Sequence, residues 1–177
     1  MSQGVDLRAH IRDIPDFPTP GIVFKDITPL LLDPDALDTA VGGLAEWARP
    51  RDVGFVVAAE ARGFILGAAL ARELGAGFVP ARKPGKLPAD TISADYILEY
   101  GVDALELHAD AISHGERVLI HDDLLATGGT AAALADLVEQ IGGTVVGFAF
   151  LVELGFLGGR AKLGDADVHA LIGYDGE

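Results

Sequence analysis

Short apolar runs alternate along the chain with stretches whose apolar positions recur at helical spacing. Gly54–Ala59 (GFVVAA), Gly77–Ala81, Arg117–Asp122 and Thr144–Val152 are runs of the length and β-branched character that predict buried strands. Between them, Asp35–Ala48, Arg62–Leu74 and Thr130–Ile141 carry helical periodicity, with Asp33 or Asp35 able to cap the first and Gly75 stopping the second. Val168–Ile172 predicts a last short strand. Leu105, Leu107, Ala109 and Ile112 alternate with Glu106, His108 and Asp110, which predicts a half-solvated strand. Val5–Ile14 has helical spacing and ends at the proline-rich loop Pro15–Gly21, while Lys83–Pro88 reads as a second loop. Strand and helix in repeated alternation predict an α/β fold, a mostly parallel sheet flanked by helices, with ligands at the carboxyl ends of its strands.

The chain of 177 residues suits one domain with a sizeable core. It has no cysteine, which removes disulfides and thiolate chemistry and fits a reducing cytoplasm. The charged positions of MSQGVDLRAHIRDI leave no signal-peptide core, and uncharged stretches such as Ile141–Val152 fall far short of the roughly 20 residues of a membrane helix, so a soluble protein is expected. Thirteen Lys plus Arg against twenty-seven Asp plus Glu give a net charge of −14, which argues against nucleic acid as a partner. Any anionic ligand must therefore meet a local basic cluster.

One segment concentrates chemistry: VLIHDDLLATGGT, Val118–Thr130. Its strand delivers Asp122 and Asp123 to the C-terminal edge of the sheet, and Ala126, Thr127, Gly128, Gly129 and Thr130 then form a small-residue loop into the next helix. Backbone N–H groups and the helix dipole suit a phosphate there, while the carboxylates suit hydroxyls. The loop matches neither the P-loop nor the dinucleotide glycine pattern. A sugar phosphate has the required two-ended shape. The five histidines show no metal-ligand spacing. His121, beside the aspartates, should point away from Asp122 by strand alternation and act as a packed or backbone-bonded residue.

HDDLLATGGT resembles the 5-phosphoribosyl-1-pyrophosphate binding motif of the type I phosphoribosyltransferases, in the wording used by the adenine phosphoribosyltransferases. Further segments resemble the family in order. PDFPTPGIVFKDITPLL (15–31) is similar to its N-terminal hood, AEARGF (59–64) to its pyrophosphate loop, RKPGKLP (82–88) and YILEYG (96–101) to its flexible catalytic loop, and LVELGFLGGRAKL (151–163) to its C-terminal segment. The resemblance implies a single phosphoribosyltransferase domain over 1–177, with a hood at about 1–32 and a flexible loop at about 82–101.

The resemblance also implies roles. Asp122 and Asp123 would bind the ribose hydroxyls and Ala126–Thr130 the 5′-phosphate. Arg62, Lys83 and Lys86 would bind pyrophosphate, and the Glu60–Ala61 peptide would be cis. Glu99 would meet purine N7, with Tyr100 beside it. Val23, Phe24 and Lys25 would serve adenine, the backbone reading its edge while Phe24 and Leu124 sandwich the ring. Lys25 stands where the family often has arginine. Ala126 stands where six-oxopurine enzymes of the family have an aspartate that serves the base. The implied activity is purine salvage in the cytoplasm: adenine and phosphoribosyl pyrophosphate give AMP and pyrophosphate, with Mg²⁺ carried by the substrate near Asp122 and Asp123 rather than in a dedicated metal site. A homodimer is implied as well. Two alternatives stay open, another purine such as xanthine, and a non-catalytic nucleotide-sensing regulator of the same fold.

Overall fold

The computed structural model describes residues 5–98 and 101–176. A two-stranded antiparallel ribbon of β1 (Arg12–Ile14) and β2 (Phe24–Asp26) is followed by a short helix α1 (Thr28–Leu32) and by α2 (Pro34–Ala48). Next come β3 (Phe55–Ala59), α3 (Arg62–Leu74), β4 (Gly77–Ala81), the hairpin of β5 (Thr91–Leu98) and β6 (Gly101–His108), β7 (Arg117–Leu125), α4 (Gly129–Gln140), β8 (Thr144–Leu154) and β9 (Val168–Tyr174). The main sheet has the order β4-β3-β7-β8-β9 and every pairing in it is parallel.

The predicted α/β fold is what forms, because the central strands are apolar on both faces and need helices over each. On one face Leu44, Ala45 and Ala48 of α2 and Leu70 and Ala71 of α3 bury against Val56, Leu119 and Ala149. On the other face Leu134, Leu137 and Val138 of α4 cover Val57, Ile120 and Phe150, and the hairpin adds Leu105 and Leu107. Small residues set the closeness of α3: a Cβ at Gly67 would lie 2.9 Å from Ala58 Cβ and 3.3 Å from the His121 ring. Burial of this kind is worth about 25 cal/mol per Å² of apolar surface. Asp33 caps α2 by accepting from the N–H groups of Asp35 and Ala36.

Three expectations need correction. Val5–Ile14 is not one helix: a 3₁₀ turn spans Leu7–His10 and the chain then enters β1. The cause is cross-strand pairing, since Arg12 faces Asp26 and Asp13 faces Lys25, placing opposite charges together across the ribbon. Within the segment read as a loop at 82–101, Thr91–Leu98 pairs with Gly101–His108 as a hairpin. Strand β7 continues beyond Asp122 to Leu125, because β8 remains alongside to pair with Leu124 and Leu125. Among the described residues no helix is long and apolar enough to cross a membrane.

Candidate active site

Strand β3 pairs with β7 as far as Ala58 opposite His121 and ends at Ala59, while β7 runs on with β8. Asp122 and Asp123 therefore lie inside a strand, yet on the stretch where β7 has lost one neighbour. The chain after β3 turns into α3, whose Gly63 sits so close that a Cβ would be 2.7 Å from Asp122 Oδ1. The resulting cleft, of about 210 Å³, is lined by Arg62, by the run from Asp122 to Ala131, and by Phe150. It brings together the two aspartates and the whole Ala126–Thr130 loop.

That loop is held by a segment to which the sequence assigned no role. Gly128 has φ +81°, and a Cβ there would run into the carbonyl oxygen of Gly159; a Cβ at Gly159 would meet that of Ala126. Only glycines permit this approach. No side chain caps the start of α4 at Gly128, so the first N–H groups of that helix are left for a ligand.

Burial, and then the charge of Asp123, raise the Asp122 carboxyl well above the usual carboxylate range. Burial also raises Asp123, opposed by the guanidinium of Arg62. Arg62 Nε lies 2.9 Å from Asp123 Oδ2, but the approach is not aligned as a hydrogen bond, and that buried oxygen has no other partner among the described residues. Two carboxylates this close in a poorly solvated site call for a cation or hydroxyl donors.

An adjoining cavity of about 200 Å³ carries the basic groups, with Arg62, Lys83, Glu60, Tyr96, Asp122, Asp123 and Thr130 among its walls. Each cation near it is paired. Arg62 rests on Asp123, Arg82 Nε on Glu60 Oε2 at 2.9 Å, and Lys83 Nζ on Asp103 Oδ2 at 3.0 Å. Glu60 also accepts from the Lys83 N–H at 3.1 Å, and the Glu60–Ala61 peptide is cis, as the resemblance implied. Lys86 is exposed on its loop and lines neither cavity.

On the hood side, Val23 and Lys25 line an apolar cavity of about 220 Å³ with Gly21, Ile22, Leu154, Phe156 and Leu157. The last three, from the C-terminal segment, are a contribution the sequence did not single out. Phe24 is directed elsewhere: it packs edge-on against Phe17, ring centroids 5.1 Å apart, and the Arg62 guanidinium carbon lies 4.7 Å from its centroid. Leu124 lines the aspartate cleft. The Lys25 side chain is buried, with Nζ 2.8 Å from Asp13 Oδ1 and 4.2 Å from the centre of the Tyr174 ring. Arg8 packs against the same ring at 4.4 Å. Tyr174 was not anticipated, and no local pattern marks it.

His121 is fully buried, its Nδ1 2.9 Å from the Ala149 carbonyl oxygen, and burial pushes its pKa down to about 4. It is the packed, backbone-bonded histidine that strand alternation predicted. Glu99 and Tyr100 lie outside the described residues.

Comparison with known proteins bears on this geometry. The phosphoribosyl transferase domain family matches residues 31–170. The chain belongs to the phosphoribosyltransferase family. Within it, the relatives are adenine phosphoribosyltransferases. That of Rubrobacter xylanophilus is 59% identical over 95% of this chain and 91% of its own. The adenine phosphoribosyltransferase of Thermoanaerobacter pseudethanolicus superposes with a TM-score of 0.93 at 55% identity, covering 95% of this chain and 98% of that one. The Saccharomyces cerevisiae adenine phosphoribosyltransferase, solved with an imino-altritol bisphosphate and adenine, gives a TM-score of 0.88 at 41% identity over 93% and 96% of the two chains. The family's type I fold accounts for the central parallel sheet with its aspartate-bearing strand.

Proposed function

We propose that this enzyme is the purine-salvage transferase that forms AMP and pyrophosphate from adenine and 5-phosphoribosyl-1-pyrophosphate. The observation that carries the reading is the convergence of Asp122 and Asp123 with the open N–H groups of the Gly128–Thr130 turn in one cleft, beside a basic cavity. The phosphate would seat on the Ala126–Thr130 backbone and the ribose hydroxyls on the aspartates. Pyrophosphate would lie toward Arg62 and Lys83, with Lys86 reaching in from its loop.

Departure of pyrophosphate from the anomeric carbon leaves an oxocarbenium-like sugar, as in glycoside chemistry. Carboxylates near the ribose stabilise that positive charge, provided they are ionised when it develops. Burial raises the carboxyls of both Asp122 and Asp123, and a cation beside them would favour their ionised forms. Two adjacent carboxylates, one with a buried oxygen lacking an aligned donor, suit a magnesium ion brought in on the substrate and held directly or through water. When bound, that ion neutralises charge on the departing pyrophosphate.

Adenine would be read by backbone groups of Val23–Lys25. The Lys25 ammonium, committed to Asp13 and Tyr174, has no freedom to add a base contact of its own. Arg62 lies over the Phe24 ring, and stacking of the base between Phe24 and Leu124 would require the guanidinium to turn toward pyrophosphate. Glu99 would act at purine N7 with Tyr100 beside it. Assembly as a homodimer and action in the cytoplasm complete the reading.

The test is pyrophosphate release from phosphoribosyl pyrophosphate and Mg²⁺ with adenine, hypoxanthine, guanine, xanthine, uracil or orotate. Release with adenine alone, and AMP as the product, is expected. Preference for xanthine would overturn the base assignment, and release with none would leave a non-catalytic sensor.

A further inference from the structure

Lys83 and Tyr96 meet at one carboxylate that the reaction scheme above does not use. Asp103 Oδ2 lies 3.0 Å from Lys83 Nζ and 3.3 Å from the Tyr96 hydroxyl, which donates to it. Tyr96 and Asp103 are direct partners across the β5–β6 hairpin. Lys83 stands on the other side, on the loop after β4, where its own backbone N–H is fixed by Glu60. One carboxylate thus joins the β5–β6 hairpin to the loop that carries a cation of the basic cavity.

The contact is a weak one by construction. Lys83 is 55% exposed and Asp103 25%, and an ion pair so open to water is screened and easily exchanged. Pyrophosphate brings several charged oxygens and offers charge-assisted hydrogen bonds that a single carboxylate cannot match. Lys83 and Tyr96 both line the cavity beside the aspartates, so an anion placed there reaches the same ammonium.

We propose that Asp103 is a placeholder for the leaving group: it occupies the Lys83 ammonium in the free enzyme and gives it up to pyrophosphate, releasing the hairpin from the Lys83 loop as the anion binds. The proposal rests on the reading that Lys83 binds pyrophosphate. It differs in sign from the simpler role in which Asp103 orients Lys83 for its ligand. Removing a competitor tightens anion binding, whereas removing an orienting group weakens it.

Titration calorimetry with inorganic pyrophosphate at fixed ionic strength distinguishes the two. Asp103→Asn keeps the shape and an acceptor for Tyr96, and is expected to bind pyrophosphate about two- to fivefold more tightly than the wild type, the scale of an exposed ion pair. Asp103→Ala should change affinity in the same direction. Lys83→Ala should weaken binding, and adding Asp103→Asn to it should then change nothing; a gain that persists there would be long-range charge removal and would overturn the placeholder. Unchanged or weaker binding by Asp103→Asn, with Lys83→Ala still weakened, overturns the placeholder and leaves Lys83 as the pyrophosphate residue. Unchanged binding by Lys83→Ala overturns the reading of Lys83, and the placeholder with it.

Discussion

At the aspartate end of the site, Asp122, Asp123 and Arg62 stand on long elements: β7 and β8 pair in parallel through Leu125, and α3 and α4 open directly onto the cleft. At the hood end, Phe24 and Lys25, proposed to serve the base, stand on a three-residue strand that pairs, among the described residues, with another of three residues. The first end is rigid because the sheet core continues beneath it. The second is held by side chains: Lys25 to Asp13, and Lys25 and Arg8 to the ring of Tyr174 at the far end of β9. On the proposed reading, such a site would have a phosphate anchor set in the sheet and a base pocket whose alignment depends on a few side-chain contacts.

The contrast breaks most sharply at the aspartates. Asp122→Asn with Asp123→Asn should cost ~10³-fold in kcat/KM for phosphoribosyl pyrophosphate, the loss expected when interactions made in the transition state are removed. Steady-state kinetics at saturating adenine measure it, and near-wild-type values would end the assignment of the ribose to this pair.

The next effect tests the core under the rigid end. His121 is held neutral in the folded state at a pKa of about 4, against about 6.5 when unfolded. As pH falls through 6.5 the unfolded chain gains a proton that the folded one refuses, so stability present above pH 6.5 is lost progressively down to about pH 4. For a fully buried group the loss is about 3 kcal/mol. Urea unfolding at pH 7.5 and 4.5 should show His121→Val losing less between the two than the wild type does. Equal losses would mean that the histidine titrates normally.

The smallest effect belongs to the hood. Tyr174→Leu removes the ring that Lys25 and Arg8 share, an interaction of about 0.5–2 kcal/mol. The KM for adenine should rise several-fold, while the KM for phosphoribosyl pyrophosphate stays within about twofold, and Tyr174→Phe, which keeps the ring, should restore it. A parallel rise in both constants would place the two ends of the site in one mechanical unit.

Much of the aspartate end was legible in the chain. The apolar run of β7, the paired acids and the small-residue loop lie within one continuous stretch, and the helix boundaries at Arg62–Leu74 followed from periodicity and from Gly75. The hood was not legible in the same way. Val5–Ile14 keeps helical spacing, but Arg12 and Asp13 find their partners at Asp26 and Lys25 across the proline loop, and local spacing carries no record of that pairing. The strand at Thr91–Leu98 was hidden for the same reason, since its partner Gly101–His108 is what makes it a strand.

By itself the sequence marked the candidate residues, because paired acids, a small-residue loop and a cation-bearing loop are the groups a phosphorylated sugar would need. The tertiary structure alone decided how those groups are engaged. It set Arg62 against Asp123, Lys83 against Asp103 and Lys25 against Tyr174. Each of these pairs joins residues far apart in the chain, and charge complementarity selects among many possible partners only once the fold has brought two of them within reach.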